Sequence, residues 1–157
     1  MKTHCLLTLL TVVPAFALSQ SLPPAPGAQV IALTSKPGYF NKPSIAINAG
    51  NPQQLVAAYQ VTASVAYSVD GGRSWANVPD VAPKNFKVSG DVSITFDSHG
   101  HAILCYIAFD KLGTTNYWAH NATRNGIFIK RSLDGGKTWE PEAVPVIEHR
   151  TTPGIPF

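Results

Sequence analysis

The side chains best suited to binding a ligand lie in one stretch of the sequence, residues 110–126. Its aromatic rings are of the kind that stacks on sugars, and its imidazole and guanidinium groups are of the kind that binds carboxylates. The predicted ligand-binding residues of this stretch are Tyr117, Trp118, His120 and Arg124. The alternative is a solvated surface loop in which the ring of Trp118 lies against its own sheet.

Two acids near this stretch are weak candidates for catalytic roles. Asp110 opens the stretch itself, and Asp91 opens an apolar run that precedes it. A positioned carboxyl group can act as a general acid or base. The alternative for each is a turn or cap residue, because Asp readily accepts hydrogen bonds from nearby backbone N–H groups. The catalytic residues are otherwise unknown.

Metal and cofactor chemistry is not predicted. His99 and His101 flank Gly100 in a turn and are not interpreted as a metal site. Cys5 belongs to an N-terminal leader, so Cys105 is the only cysteine of the mature chain, and no intramolecular disulfide can form. Cys105 lies in an apolar run that predicts a buried central strand, where a cysteine acts as a small hydrophobe.

An internal repeat indicates the strands and turns on which these residues lie. Residues 68–75 read Ser-Val-Asp-Gly-Gly-Arg-Ser-Trp, and residues 132–139 read Ser-Leu-Asp-Gly-Gly-Lys-Thr-Trp. Apolar runs precede both copies and predict strands, and Asp-Gly between apolar runs is a strong hairpin signal. A repeat of this kind indicates a repeated architecture. The two octapeptides are therefore interpreted as turns that specify the fold, with a catalytic role for Asp70 or Asp134 as the alternative.

Both octapeptides resemble the Asp-box, or BNR, repeat of the sialidase-like β-propellers. The resemblance covers residues 42–146 and implies an all-β fold, here about two four-stranded antiparallel blades of an incomplete, six-bladed propeller. In that family the box joins the third and fourth strands of a blade, on the face away from the substrate pocket. The box residues it implies are Ser68, Asp70, Gly72, Trp75, Ser132, Asp134, Gly136 and Trp139.

The resemblance also implies an activity, the removal of terminal sialic acids by an exo-α-sialidase. Such enzymes use a Tyr nucleophile, paired with a Glu, and hold the substrate carboxylate with three arginines. The first arginine of the family lies in an Arg-Ile-Pro motif, and the matching place here reads Asn41-Lys42-Pro43. Lys42 supplies charge without the planar fork of arginine. The alternative is therefore a non-catalytic propeller that binds glycans or proteins.

Two blades can be laid out from the repeat, at about residues 42–80 and 91–146. Inner strands are predicted at residues 43–48 and 92–97, second strands at 55–60 and 102–109, and third strands at 65–69 and 127–133. Each fourth strand is predicted to start at the tryptophan of its box. A third blade is not reached, so the chain is expected to be part of a longer protein. The alternative is a protein of two blades that oligomerises to close the ring.

The two blades differ in length between the second and third strands. The insertion in the second blade falls at residues 110–126, and loops of this length are usually functional or disordered. Because strands alternate in direction, this loop is predicted on the face opposite the boxes. The blade-to-blade connections, at residues 79–90 and 145–157, share that face, and they add Arg150 to the ligand-binding candidates.

The sequence also predicts the localisation and the binding partners of the protein. Residues 1–19 have the pattern of a cleaved signal peptide, with Ala17 as an alternative end, and predict a secreted or periplasmic protein. Residues 20–41 are interpreted as a Pro-rich linker with a closing strand at 28–34.

The chain has a net charge of +3 with scattered basic residues, which does not favour binding of nucleic acid. A glycan or glycoprotein partner is expected without a transmembrane segment, and the oligomeric state is left open.

Overall fold

The computed structural model describes residues 27–34, 42–60, 63–78, 81, 86, 88–111 and 124–150. The chain divides into two compact units, residues 1–30 and 31–157. Only residues 27–30 of the first unit are described, and every described strand belongs to the second. The described residues form eight β-strands and no helix, so the fold is all-β.

The first four strands make one antiparallel sheet, called sheet A. Their order in the sheet is their order in the chain, β1-β2-β3-β4. Each strand therefore forms a hairpin with the next one. The bounds are Ser44–Ile47 for β1, Leu55–Tyr59 for β2, Ser64–Ser68 for β3 and Ala76–Val78 for β4.

The last four strands repeat the arrangement as sheet B, in the order β5-β6-β7-β8. Its strands are longer, and the pairing shifts once between Gly90 and Ser93 and once between Ile127 and Phe128. The bounds are Val88–Phe96 for β5, Ala102–Phe109 for β6, Arg124–Ser132 for β7 and Val144–Arg150 for β8. The prediction of two four-stranded antiparallel sheets is confirmed.

The fourth strand of the second sheet was predicted wrongly. It begins at Val144 rather than at Trp139, because Trp139 and the residues after it complete the turn. The Glu140 backbone N–H still donates to the Arg131 carbonyl, at 2.9 Å, before the chain turns away. Strand β8 then continues to Arg150, through residues that were predicted to be a connection.

The insertion of the second sheet is shorter than predicted. Strand β7 begins at Arg124, so residues 124–126 belong to the sheet and not to the insertion. Residues 28–34 are assigned to no strand, and the Val30 side chain is 81% exposed. The predicted partner of this segment is the last blade of a closed propeller, which the eight described strands do not include, so the closing strand stays a prediction.

One apolar core lies between the two sheets. Alternate residues of sheet A point towards sheet B, and alternate residues of sheet B point back, as the period of two in a strand requires. The buried cluster consists of Val56, Ala58, Ala63, Val65, Val81, Phe86, Val92, Ile94, Ala102, Leu104, Tyr106, Ala108 and Phe128. Leu104 and Tyr106 of β6 are the largest side chains fully enclosed there.

The two sheets pack through non-equivalent faces, as repeated units do in a stack, and not through the same face about a two-fold axis. Asp70 and Asp134 occupy matching places, which aligns Val65 with Ile129 at an offset of 64 residues. Val65 lies in the buried core, whereas Ile129 lies on the other side of sheet B, away from sheet A. The face of sheet A that packs against sheet B is therefore equivalent to the outer face of sheet B.

The outer face of sheet B is apolar and only half-covered by the described residues. Strand β6 alternates between buried and half-buried side chains along its whole length. Cys105 belongs to the half-buried set, so the predicted central position of its strand is confirmed, whereas its side chain is less buried than predicted. Val144 and Ile147 on β8 are exposed on this sheet by 60% and 47%. On sheet A, Ile45 and Ile47 are equally exposed on the face turned from the core.

Candidate functional site

The sheets have two distinct ends. The box end carries both octapeptide turns and the turns that join β1 to β2 and β5 to β6. The loop end carries the starts of β1, β5 and β7 and the ends of β2, β6 and β8. The inner strands β1 and β5 lie side by side, and Ile94 N donates to Ser44 Oγ at 3.1 Å. They run in the same direction, since Lys42 before β1 meets Asp91 and Asn48 after β1 lies against Gly100.

The first box is a closed set of local hydrogen bonds. Ser68 Oγ donates to Asp70 Oδ1 at 2.8 Å and accepts from Gly72 N at 2.9 Å. The carboxylate of Asp70 also accepts from Ser74, from its N–H at Oδ1 and from its hydroxyl at Oδ2. Trp75 Nε1 donates to the Gly72 carbonyl at 2.9 Å, which fixes the indole over the turn.

The second box repeats the same bonds. Ser132 Oγ donates to Asp134 Oδ1 and accepts from Gly136 N, and Thr138 donates to the carboxylate from both its N–H and its hydroxyl. Trp139 Nε1 donates to the Gly136 carbonyl at 3.1 Å. Both oxygens of each box carboxylate are therefore committed to the turn, and the structural interpretation of Asp70 and Asp134 is the one that the geometry favours.

These bonds shift the acidity of both carboxyl groups in one direction. The Ser74 hydroxyl, with the backbone N–H of the same residue, lowers the pKa of Asp70 far below its usual range. Burial acts to raise the pKa of Asp134, but the hydroxyl and N–H of Thr138 outweigh it, so that pKa is lowered too. Hydrogen bonds of this kind stabilise the charged form.

We expect the boxes to make the fold sensitive to acid. A carboxyl group whose pKa is lower in the folded state stabilises the fold above its unfolded pKa, about 3.9, and loses that contribution as pH falls towards the folded value. Replacing Asp134 with Asn should lower the free energy of unfolding by about 1–2 kcal/mol at neutral pH. Urea unfolding of both proteins should show this difference shrinking as the pH falls from 6 to below 4.

A matched control for the acid experiment is Glu142→Gln, which removes an exposed negative charge outside either box, together with its electrostatic attraction for Lys130. Its effect on the free energy of unfolding should stay within about 0.5 kcal/mol at every pH. A constant difference between wild type and Asp134→Asn across the pH range would show that the carboxylate charge is not what the turn uses.

At the loop end, Asp91 lies in a backbone irregularity rather than at the start of a strand. It lies within β5, at the shift in pairing between Gly90 and Ser93, and its φ of +46° is unusual for a residue with a side chain. Its carboxylate accepts a hydrogen bond from Lys42 Nζ, with which it forms an exposed ion pair. Lys42 also has a positive φ, of +47°. The pair joins the entries of the two inner strands.

Arg124 is held by an ion pair of its own. Its Nε and Nη2 atoms donate to Glu148 Oε1 at 3.0 and 2.7 Å, across the pairing of β7 with β8. The guanidinium carbon lies 5.0 Å from the centre of the Phe86 ring, close enough for a cation–π contact. A ligand carboxylate would have to compete with Glu148 for this arginine.

The other predicted residues are placed unevenly. The backbone N–H of Asp110 donates to the Arg124 carbonyl at 3.0 Å, so Asp110 closes the end of the β6–β7 ladder as a turn residue. Arg150 ends β8, and its backbone is paired with Arg124. Tyr117, Trp118 and His120 lie outside the described residues. The structure thus brings Asp110, Arg124 and Arg150 to the loop end of sheet B and places Asp91 on the inner strand.

Sequence reasoning missed several polar groups buried between the sheets. Gln60 Oε1, Ser89 Oγ and Tyr106 Oη are buried without a hydrogen-bond partner. A Cβ placed on Gly90 would come within 2.8 Å of Gln60 Nε2, so the irregular segment of β5 lies against the end of β2. Burial raises the pKa of Tyr106, with a smaller contribution from Cys105. Nothing in the spacing of these residues distinguishes them from ordinary strand residues.

One further polar group occupies the β5–β6 turn at the box end. Asp97, His99 and His101 each place a potential ligand atom within 4.8 Å of the other two. Asp97 Oδ2 lies 2.9 Å from His101 Nδ1 and 4.0 Å from His99 Nδ1. Sequence reasoning noted the two histidines but not the carboxylate beside them, although the spacing Asp-Ser-His-Gly-His was the signal.

Comparison with models of known protein families gives no match for this chain, and a search of curated proteins finds no relative. Among the residues that the structure describes, there is no helix long and apolar enough to cross a membrane. The functional assignment therefore depends on the geometry of the two sheets.

Proposed function

We propose that the chain is part of an exported, sialidase-like Asp-box β-propeller that binds glycans at its loop end. The observation that carries the proposal is the position of the two boxes. Each joins the third and fourth strands of a four-stranded meander, and the two meanders stack one on the other. That combination is what the resemblance to Asp-box propellers implies.

The same-sense stacking supports a ring. Sheet A presents to sheet B the face that contains Val65, and sheet B carries the equivalent face on its outer side, with Ile129. Head-to-tail contacts between unlike faces continue from unit to unit, and they close into a ring when the rotation allows it. Propellers close with about 4–8 sheets. Further sheets of the same kind would cover the exposed side chains of Ile45, Ile47, Val144 and Ile147.

The loop end is the proposed ligand-binding end because it carries charged groups and the described residues on either side of residues 112–123. Asp110 and Arg124 flank that segment, and the Lys42–Asp91 pair lies at the entries of the inner strands. The segment between them supplies Tyr117, Trp118 and His120 in the sequence. Rings and cationic groups at one end suit a sugar that carries a carboxylate.

A non-catalytic glycan-binding propeller is the second candidate, and the ion pairs favour it. Lys42 already has Asp91 as its partner, and Nε and Nη2 of Arg124 both donate to Glu148 Oε1. A sialidase needs arginines that are free to grip the substrate carboxylate with two parallel bonds. Neither of these cations is arranged in that way.

One experiment distinguishes three possibilities: a sialidase, a glycan-binding protein without activity, and a protein with neither property. The secreted protein is assayed with a fluorogenic sialoside and, in parallel, on an array of sialylated and neutral glycans. Turnover would establish a sialidase, and glycan binding without turnover would establish the second candidate. Trp118→Ala should weaken glycan binding about tenfold or more, whereas Arg73→Ala at the box end should leave it unchanged. The proposal would be overturned if the protein showed no turnover and no glycan binding.

A further inference from the structure

The turn between β5 and β6 has the composition of a small metal site. It contains one carboxylate and two imidazoles within five residues, Asp97, His99 and His101. Imidazole nitrogen and carboxylate oxygen are ligands for Zn²⁺ and for neighbouring transition metals, whereas Ca²⁺ and Mg²⁺ prefer oxygen alone. We propose that this turn binds one Zn²⁺ ion through the side chains of Asp97, His99 and His101.

The backbone of the turn holds the carboxylate in place. Asp97 Oδ1 accepts hydrogen bonds from the N–H groups of His99 and His101, both at 2.9 Å. The Gly100 N–H donates to the Asp97 carbonyl, and the φ of Gly100 is +81°. These bonds use one carboxylate oxygen and lower the pKa of Asp97, the N–H of His101 contributing most. The other oxygen, Oδ2, is directed towards the two rings.

The side chains need little movement to converge on one ion. Ligand bonds to Zn²⁺ of about 2.0–2.2 Å place two tetrahedral ligand atoms roughly 3.3 Å apart. Asp97 Oδ2 and His101 Nδ1 are already 2.9 Å apart. His99 Nδ1 must approach from 4.0 Å, and its side chain is 77% exposed. Rotation of an exposed histidine is inexpensive, so the site can form without rebuilding the turn.

The two imidazole rings lie close together, with centres 5.8 Å apart and planes inclined by 17°. The lone pair of an imidazole nitrogen lies in the ring plane, so the exposed ring of His99 must turn before both nitrogens point at one ion. The ion would take the place of the hydrogen bond between Asp97 Oδ2 and His101 Nδ1. Three protein ligands leave one tetrahedral position open to solvent, which is the composition of an accessible site rather than a closed structural one.

The turn also lies where a bound ion would affect the contact between the sheets. A Cβ placed on Gly100 would come within 2.9 Å of Asn48 Nδ2, so the turn of sheet B lies directly against the matching turn of sheet A. Asn48 Oδ1 accepts from Gly50 N as Asp97 Oδ1 accepts from His99 N. Because an ion that binds only the folded state stabilises it, Zn²⁺ should raise the unfolding temperature of the chain.

The experiment is titration of the metal-free, untagged chain with ZnCl₂ by isothermal calorimetry. We expect one ion per chain, with affinity reduced about tenfold or more in His99→Ala and in His101→Ala. Asp97→Asn keeps an oxygen acceptor for the turn, as Asn48 does, and should weaken binding while circular dichroism shows an unchanged fold. His149→Ala, which removes an exposed histidine at the loop end, should bind as wild type does.

Cobalt gives a second readout that does not depend on heat. Co²⁺ in a site with fewer than six ligands absorbs visible light more strongly than the aqueous ion, so wild type should gain absorbance that His99→Ala and His101→Ala lack. The proposal is overturned if the folded chain takes up no Zn²⁺, or if the His99 and His101 variants bind as wild type does. A loss of binding in His149→Ala as large as in those variants would equally overturn it. None of these outcomes depends on glycan binding at the other end.

Discussion

Replacing Gly136 with Ala should lower the free energy of unfolding by about 3 kcal/mol. The φ of Gly136 is +97°, a conformation that costs a residue with a side chain about 1–2 kcal/mol. In addition, an added Cβ would lie 2.7 Å from Val56 Cγ2 and 3.3 Å from Tyr67 Cβ. Val56 is fully buried in β2 and cannot move aside. Overpacking of this kind costs about 1–3 kcal/mol more.

The chain contains its own control for this substitution. Gly72 occupies the same place in the first box and has a φ of +87°, but an added Cβ there would meet nothing closer than 3.8 Å. Gly72→Ala should therefore cost only the backbone part, about 1 kcal/mol. Equilibrium unfolding in urea measures both variants. Equal costs would show that the second box does not press against sheet A as the structure describes.

Leu104→Ala should be about as damaging, with a loss near 3 kcal/mol. Leu104 is fully buried on the face of β6 that meets sheet A, and truncation would remove packed atoms and leave a cavity. Its neighbour Ile103 points to the outer face and is half-buried. Ile103→Ala removes a similar volume and should cost only about 1 kcal/mol, because much of its surface already meets water.

The comparison of these neighbours also reports on the outer face. The free energy of unfolding and the oligomeric state are measured for wild type and both variants. A cost for Ile103→Ala as large as that for Leu104→Ala would contradict a solvent-exposed outer face. If the same chain were then found to associate, a second sheet from another copy would be covering Ile103.

Much of the fold could be predicted because its signals are local. Each box contains Asp, Gly and Trp at positions where the turn needs a carboxylate, a positive φ and an indole donor, and those bonds span no more than four residues. The strands β2 and β6 follow from continuous apolar runs, and β6 was predicted at its observed bounds. Local hydrogen bonding and alternation are what sequence patterns record.

The features that depend on contacts between distant residues were not predictable in the same way. The start of β8 is set by where the chain leaves the second box, and the irregularity at Asp91 brings that residue to Lys42, 49 positions earlier in the sequence. The half-burial of Cys105 depends on which face of β6 sheet A covers. Arg124 was predicted as a ligand-binding residue, but its partner, Glu148, becomes apparent only when β7 and β8 are paired.

The meander order of each sheet has a consequence for how the chain reaches its structure. Every strand pairs only with the strands that come immediately before and after it. Short loops close with little loss of chain entropy, so the hairpins with short connections can form early, whereas β6 and β7 are separated by residues 110–123. Docking of one finished sheet on the other then requires contacts between distant parts of the chain. Pairing within a sheet is thus local in sequence, whereas the apolar core forms only when the two sheets pack together.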